Sequence, residues 1–172
     1  MRNWLAIAVL WGAGVAPLRA AHENWAPPPG GPLMVTVTPA SISFNATNPD
    51  VAAVNGASTA SISWTASGRS QFSWSLSVQG DGASFSNCPA VPISAVMVSC
   101  AGATMTGGGG SGVCSAAAPL STTPLVVASG TQGVPSAFYR VVVRFTLSDS
   151  WKYIAQLNPP CSLSLTYIAN LQ

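Results

Sequence analysis

The chain has 172 residues, which is enough for one domain, and only 6% of them are charged, against about 25% in a typical soluble protein. The formal net charge of +2 rests on Arg2 and Arg19 near the N-terminus, so the remainder is close to neutral. The other cations, Arg69, Arg140, Arg144 and Lys152, are scattered along the chain. They cannot form the clustered basic surface that nucleic-acid binding requires, which excludes nucleic acid as a partner.

Residues 1–20 have the pattern of a secretory signal peptide, with a cationic start at Arg2, an apolar run over residues 4–15, and small residues at Ala20 and Ala21. The apolar run is about twelve residues long, whereas a membrane-spanning helix needs roughly twenty. We therefore favour a leader that is cleaved after Ala20 or Ala21 over a membrane anchor. The mature protein is expected to be secreted or held at the cell surface, with the periplasm as an alternative and no membrane span.

Residues 21–32 follow as a tail rich in proline and glycine (HENWAPPPGGP over 22–32), a composition that favours extended, unpaired backbone. Residues 33–172 are predicted to form one domain, because apolar residues alternate there with small polar ones at a period of two. The clearest runs are 41–45 (SISFN), 61–65 (SISWT), 71–78 (QFSWSLSV), 139–147 (YRVVVRFTL) and 162–167 (SLSLTY), and the weaker ones are 34–38, 93–99 and 125–128.

Eight or nine such strands without an amphipathic helix predict a single antiparallel β-sandwich of immunoglobulin-like shape. The alternation places Trp64, Trp74 and Tyr139 in the core and points Arg140 and Arg144 outward, where we interpret them as solvated charges at a sheet edge. The glycine-rich stretch 107–112 (GGGGSG) is predicted to be a mobile loop.

Four cysteines lie beyond the leader, Cys88, Cys100, Cys114 and Cys161, and an even number in an exported chain predicts two disulfides. Of the three possible pairings, we prefer Cys88 with Cys100 and Cys114 with Cys161. A metal site is disfavoured, because no Cys-x-x-Cys pair and no companion histidine are present.

Most catalytic chemistries lack their residues in this sequence. His22 is the only histidine and lies in the tail, so a buried Ser-His-Asp relay has no base. The mature acids are Glu23, Asp50, Asp81 and Asp149, and the aspartates at 50 and 81 sit in turn contexts that favour a structural role. We expect no enzyme activity, no cofactor and no metal.

Aromatic side chains at the surface could bind a sugar, since tryptophan and tyrosine stack on such ligands. Trp25 and Trp151 are the better candidates for exposure, and a carbohydrate-binding module could use either of them or Tyr139. Asn45-Ala46-Thr47 matches the glycosylation triplet, which has little specificity.

Two tripeptide regions give the chain a resemblance to the WxL-type domains of bacterial cell surfaces. Trp74-Ser75-Leu76 corresponds to that family's mid-chain Trp-x-Leu motif, and Leu165-Thr166-Tyr167-Ile168 stands at the second motif, with tyrosine where the family has tryptophan. The resemblance implies a β-sandwich attached non-covalently to the cell envelope, with peptidoglycan as the family's usual partner. It makes Trp74 and Leu76 candidate binding residues beside Trp25 and Trp151.

The chain is also similar to fimbrial subunits, which are secreted, low in charge and disulfide-bearing, and which polymerise by adding a strand across an open sheet edge. Our leading expectation is a secreted or cell-surface, non-catalytic structural or adhesion domain. Its expected partner is a cell-wall polysaccharide or another surface protein. A subunit of an extracellular fibre and a carbohydrate-binding module remain as alternatives.

Overall fold

The computed structural model describes residues 35–46, 53–67, 73–107, 109–133, 136–150, 153 and 160–171, together with the backbone of residues 5–10. The rest of the predicted leader, the tail over 21–32, Trp25 and Trp151 lie outside the described residues. The strands are β1 (Leu5–Leu10), β2 (Thr36–Thr38), β3 (Ser41–Ala46), β4 (Val54–Asn55), β5 (Ala60–Ser67), β6 (Ser73–Gly80), β7 (Ser84–Phe85), β8 (Cys88–Pro92), β9 (Val96–Thr106), β10 (Ser111–Cys114), β11 (Ala118–Pro119), β12 (Leu125–Thr131), β13 (Ser136–Leu147) and β14 (Leu165–Leu171).

These strands form two larger antiparallel sheets. One contains six strands, in the order β11-β9-β13-β5-β2 with β4 paired to the end of β13, and the other has the order β10-β12-β6-β14. Two further pairs, β1-β3 and β7-β8, are also antiparallel. The all-β, antiparallel class predicted from the sequence is therefore confirmed.

The apolar faces of the two larger sheets supply the core. Trp74, Leu76 and Val78 of β6 and the alternate residues of β13 are buried, which confirms the direction assigned to both strands. Trp64 of the six-stranded sheet contacts Trp74 of the four-stranded sheet edge-to-face, with ring centroids 5.5 Å apart. Trp64 also stacks on Tyr139 at 5.2 Å. Such pairs contribute to stability beyond the area that they bury.

Strand number and limits differ from the predictions. The described residues hold fourteen strands, and β2, β4, β7 and β11 have only two or three residues each. Hydrogen bonds from a neighbouring strand define these short strands, so their own sequence has too few positions to show alternation. The predicted strand over 93–99 begins instead with a 3-10 helix, Ile93–Ala95, and β9 starts at Val96.

The glycine-rich stretch is not a loop throughout, which corrects the prediction for its second half. Ser111 and Gly112 begin β10 and pair with Thr131 and Gly130 of β12. A Cβ atom added at Gly130 would overlap the carbonyl of Ser111, so glycine allows the two backbones to approach this closely.

The cysteines form the two predicted disulfides but in a different pairing from the preferred one. Cys88 is bonded to Cys161 and Cys100 to Cys114, each with a Cα–Cα distance of 5.3 Å. The first pairing follows from a bridge between Ser86 and Ser162, whose backbone groups exchange hydrogen bonds and bring β8 beside the segment before β14. The second joins β9 of the six-stranded sheet to β10 of the four-stranded sheet.

Candidate functional site

The Trp-x-Leu motif lies inside the sandwich. Trp74 is 1% exposed and Leu76 is 0% exposed, and the Trp74 indole Nε1 donates a hydrogen bond to the Ser111 carbonyl at 3.1 Å. The two regions of the resemblance lie on neighbouring strands, because Leu165 and Ile168 of β14 pair with Gly80 and Ser77 of β6, the strand that contains the Trp-x-Leu motif. Neither Trp74 nor Leu76 reaches the surface, so neither side chain can contact a partner of the folded domain.

The aromatic cluster around Trp64 contains two polar atoms without a hydrogen-bond partner, the Trp64 indole Nε1 and the Tyr139 hydroxyl. Burial raises the pKa of Tyr139, because the phenolate would lose its hydration. Tyr139 is 0% exposed, which removes it from the candidates for a sugar-stacking surface. Trp25 and Trp151, the other two candidates, lie outside the described residues.

The two described aspartates hold loops in place. The Asp81 carboxylate accepts a hydrogen bond from the Ser164 backbone N–H at 3.2 Å, and the Asp149 carboxylate accepts one from the Ser150 backbone N–H at 2.8 Å. Within the described ranges, no three His, Cys, Asp or Glu side chains are grouped as a metal would need. The Asp81 contact fits the structural role that its turn context predicts, and the Asp149 contact is of the same kind.

A cavity between the sheets offers little room for a ligand. It has a volume of about 10 Å³, close to the space that a single water occupies. Its lining is apolar, and includes Ile42 and Phe44 of β3, Phe145 of β13 and Leu165 of β14. A polar substrate would find no hydrogen-bonding side chain there.

The described surface that combines charge, hydroxyl groups and an exposed ring is the outer side of the six-stranded sheet. We call it the hydroxyl face and define it by the outward side chains of β5, β9 and β13: Ser61, Ser63, Thr65, Ser99, Thr104, Thr106, Phe138, Arg140, Val142, Arg144 and Thr146. Both arginines are exposed on it. Because β13 lies between β9 and β5, they occupy the middle of a sheet, which corrects their interpretation as edge charges.

Cross-strand contacts fix Arg140 within this face. It pairs with Ser63 on β5 and Thr104 on β9, and its guanidinium Nε donates a hydrogen bond to the Ser61 hydroxyl at 2.9 Å. The Thr104 hydroxyl donates to the Arg140 carbonyl at 3.2 Å. The sequence contains the signal for this arrangement, since β13 is the longest alternating run, but alternation does not reveal which strands flank it.

The outer side of the four-stranded sheet is uncharged at its described positions. It includes Ser73 and Ser75 of β6 and Ser129 of β12, and Val113 and Val126 are 63% and 44% exposed. Single exposed apolar residues of this kind are common on soluble proteins.

A third feature is the edge of β3. The backbone of β1 pairs with β3 from Leu5 opposite Ala46 to Leu10 opposite Ser41. The Ser43 carbonyl accepts a hydrogen bond from the Ala57 N–H on the other side of β3. Since successive residues of a strand point their backbone groups to opposite edges, Ile42 and Phe44 direct theirs toward β1.

No protein-family model, curated protein or solved structure matches this chain. The two disulfides are compatible with an extracellular location. Among the residues that the structure describes, no helix has the length and apolarity needed to cross a membrane.

Proposed function

We propose that the protein is an exported, non-catalytic structural domain that acts by adhesion at the bacterial cell envelope. The observation that supports this most is the contrast between an interior filled with apolar side chains and two sheets whose outer sides present serine and threonine. A domain built in this way meets its partners through its outer surface.

The positions of the ionisable groups that the structure describes support a non-catalytic role for this part of the chain. General acid-base catalysis needs a titratable side chain within hydrogen-bond reach of a bound substrate. Asp81 and Asp149 bond to backbone N–H groups, Tyr139 is enclosed in the core, and Arg140 and Arg144 point to solvent from an open face.

Envelope association in this proposal runs through the sheet surfaces and not through the Trp-x-Leu motif. Trp74 and Leu76 stabilise the strand that contains them, so the resemblance to WxL-type domains concerns the core of the fold. The expected partners are a cell-wall polysaccharide or another surface protein, which would contact hydroxyl and amide groups.

Sedimentation with insoluble peptidoglycan and with whole cell envelopes tests the proposal. The full-length gene would be expressed in a bacterial host, and the protein recovered in its exported form. We expect the folded protein to pellet with one of these materials. Ser63→Glu with Thr104→Glu would alter the hydroxyl face, and Ser75→Glu with Ser129→Glu the opposite face, so one pair should abolish pelleting. A folded monomer that stays in the supernatant with both materials would contradict the proposal.

A subunit of an extracellular fibre is the second candidate, and the β1-β3 pairing favours it. Residues 5–10 lie within the predicted leader, so cleavage would leave the β3 edge open to a strand from another molecule. Electron microscopy and size-exclusion chromatography of the exported protein would reveal polymers. Lysine at Ser43 and Asn45, both exposed, should prevent them, because charge on an edge strand opposes pairing. Strictly monomeric behaviour at high concentration would remove this candidate.

A further inference from the structure

The charges on the hydroxyl face have one sign. Arg140 and Arg144 are its two charged residues among the described positions. The described acids, Asp81 and Asp149, lie in the loops after β6 and β13 and bond to backbone groups there. The face therefore attracts anions, although the mature chain as a whole is close to neutral.

The spacing of the two arginines suits an extended ligand. They are four residues apart on one strand and on the same side of it, which corresponds to roughly 13 Å. At this separation of their Cα atoms, the two arginines can each bind one anionic group of a polymer that runs along β13. Guanidinium groups bind carboxylates through two parallel hydrogen bonds, which fixes orientation as well as charge.

Neutral groups around the arginines match the remainder of such a polymer. Ser63 and Thr104 flank Arg140, and Ser99 flanks Arg144, so hydroxyl groups border each cation. Phe138 lies two residues before Arg140 on the same side and is 44% exposed. An aromatic ring at the surface offers a face on which a sugar ring can stack.

We propose that the hydroxyl face binds an extended anionic polysaccharide, with uronic-acid carboxylates on Arg140 and Arg144 and a sugar ring stacked on Phe138. The inference rests on the proposed function, since it names the chemistry of the envelope partner. It also gives a role to the two arginines, which are the charged residues of this face among the described positions.

Other anionic partners fit this face less well. Tight nucleic-acid binding draws on about six to ten phosphate contacts, and two arginines cannot supply them. A protein partner would call for an apolar, aromatic patch at the centre of the interface. Phe138 is the single large apolar side chain that is strongly exposed on this face, and its centre is polar.

Binding to polygalacturonate, measured by affinity electrophoresis at low salt, tests the inference. The matched probe is the methyl ester of the same polymer, which keeps the sugar backbone and removes the charge. We expect the exported protein to bind the acid form and not the ester. Arg140→Gln with Arg144→Gln should weaken binding at least tenfold, and Phe138→Ala several-fold. Raising the salt concentration should weaken binding as well, because the arginines are exposed.

A second pair of substitutions separates a local site from net charge. Ser129→Asp with Thr166→Asp also lowers the net charge by two, but on the outer side of the four-stranded sheet, where both residues are exposed. This pair should bind polygalacturonate nearly as well as the unmodified protein, and circular dichroism would verify that all variants fold.

Three results would overturn the inference. They are equal binding to the acid and the ester, unchanged binding after the arginine substitutions, and binding to polyphosphate without binding to polygalacturonate. If the Arg140→Gln, Arg144→Gln variant still pellets with envelopes, this inference fails while the proposed function stands. If neither the unmodified protein nor any variant pellets with envelopes, but the unmodified protein binds polygalacturonate, the proposed function fails instead.

Discussion

Replacing Trp74 by alanine should strongly destabilise the domain without altering any surface that we propose for binding. The side chain is 1% exposed, contacts Trp64 and Tyr139, and bonds to the Ser111 carbonyl. Truncating a buried tryptophan costs about 3–5 kcal/mol through lost burial and the cavity left behind. The lost hydrogen bond adds little, because Ser111 is exposed and water can take the indole's place. We therefore expect a loss of about 4 kcal/mol.

This loss is large beside the stability of a typical domain, about 5–15 kcal/mol. Urea unfolding followed by circular dichroism would measure it, with Ser75→Ala in the same tripeptide as the control. Ser75 points away from the core, and substitutions at such positions usually change stability by no more than about 0.5 kcal/mol. If Trp74→Ala kept its unfolding free energy and still lost envelope binding, Trp74 would contact the partner directly and its assignment to the core would be wrong.

Three further predictions concern the backbone, the disulfides and the buried hydroxyl. Gly130→Ala should destabilise the domain by about 1–3 kcal/mol, because the added Cβ would overlap the Ser111 carbonyl. Gly102→Ala should be nearly neutral, because a Cβ there meets nothing within 4 Å. Thermal melts of both variants would show the contrast. Removing the Cys88–Cys161 bridge should cost more stability than removing the Cys100–Cys114 bridge, because the sequence separations are 73 and 14 residues. The chain-entropy account gives about 4–5 kcal/mol for the first bridge and about 3 kcal/mol for the second. Denaturant unfolding would measure both losses. Burial raises the pKa of Tyr139, so above about pH 10 the Tyr139 hydroxyl ionises more readily in the unfolded chain than in the folded one, and the unfolding free energy should fall. Tyr139→Phe should reduce that fall and leave the unfolding free energy at pH 7 unchanged or higher. Denaturant unfolding over a series of pH values would measure both effects.

Side-chain alternation was sufficient to predict the fold class and much of the core. Tyr139, Val141 and Val143 are buried on β13, while Arg140 and Arg144 between and beyond them are exposed. The period of two forces this outcome, because a strand with one apolar side has a single way to face a core. Trp64 and Trp74 follow the same rule on their strands.

The disulfide pairing and the end of the glycine-rich stretch depend on which strands become neighbours. Cys88 meets Cys161 because the bridge at Ser162 places the segment before β14 beside β8, a contact between residues 73 positions apart. Nothing local to either cysteine encodes it. Ser111 joins a strand for the same reason, since β12 supplies its hydrogen bonds.

The position of a strand within its sheet also lies beyond alternation, and it changes the functional interpretation most. A strand at an edge and a strand at the centre can have the same periodic sequence. The interpretation of Arg140 and Arg144 as edge charges is wrong, because their strand β13 lies between β9 and β5. In the middle of the sheet they can engage a ligand that runs along β13.

The scarcity of charge limits how this fold can keep its strand edges from pairing with other molecules. Proteins commonly protect edges with lysine, with proline or with very short strands. At the margins of the six-stranded sheet, β2 has three residues and β11 has two, one of them Pro119. β3 has six residues with neither proline nor charge, and its backbone partner is β1, from the predicted leader. Export would therefore open an edge that charge, proline and short length do not protect, so lysine at Ser43 and Asn45 tests whether the protein is a fibre subunit or a monomeric adhesion domain.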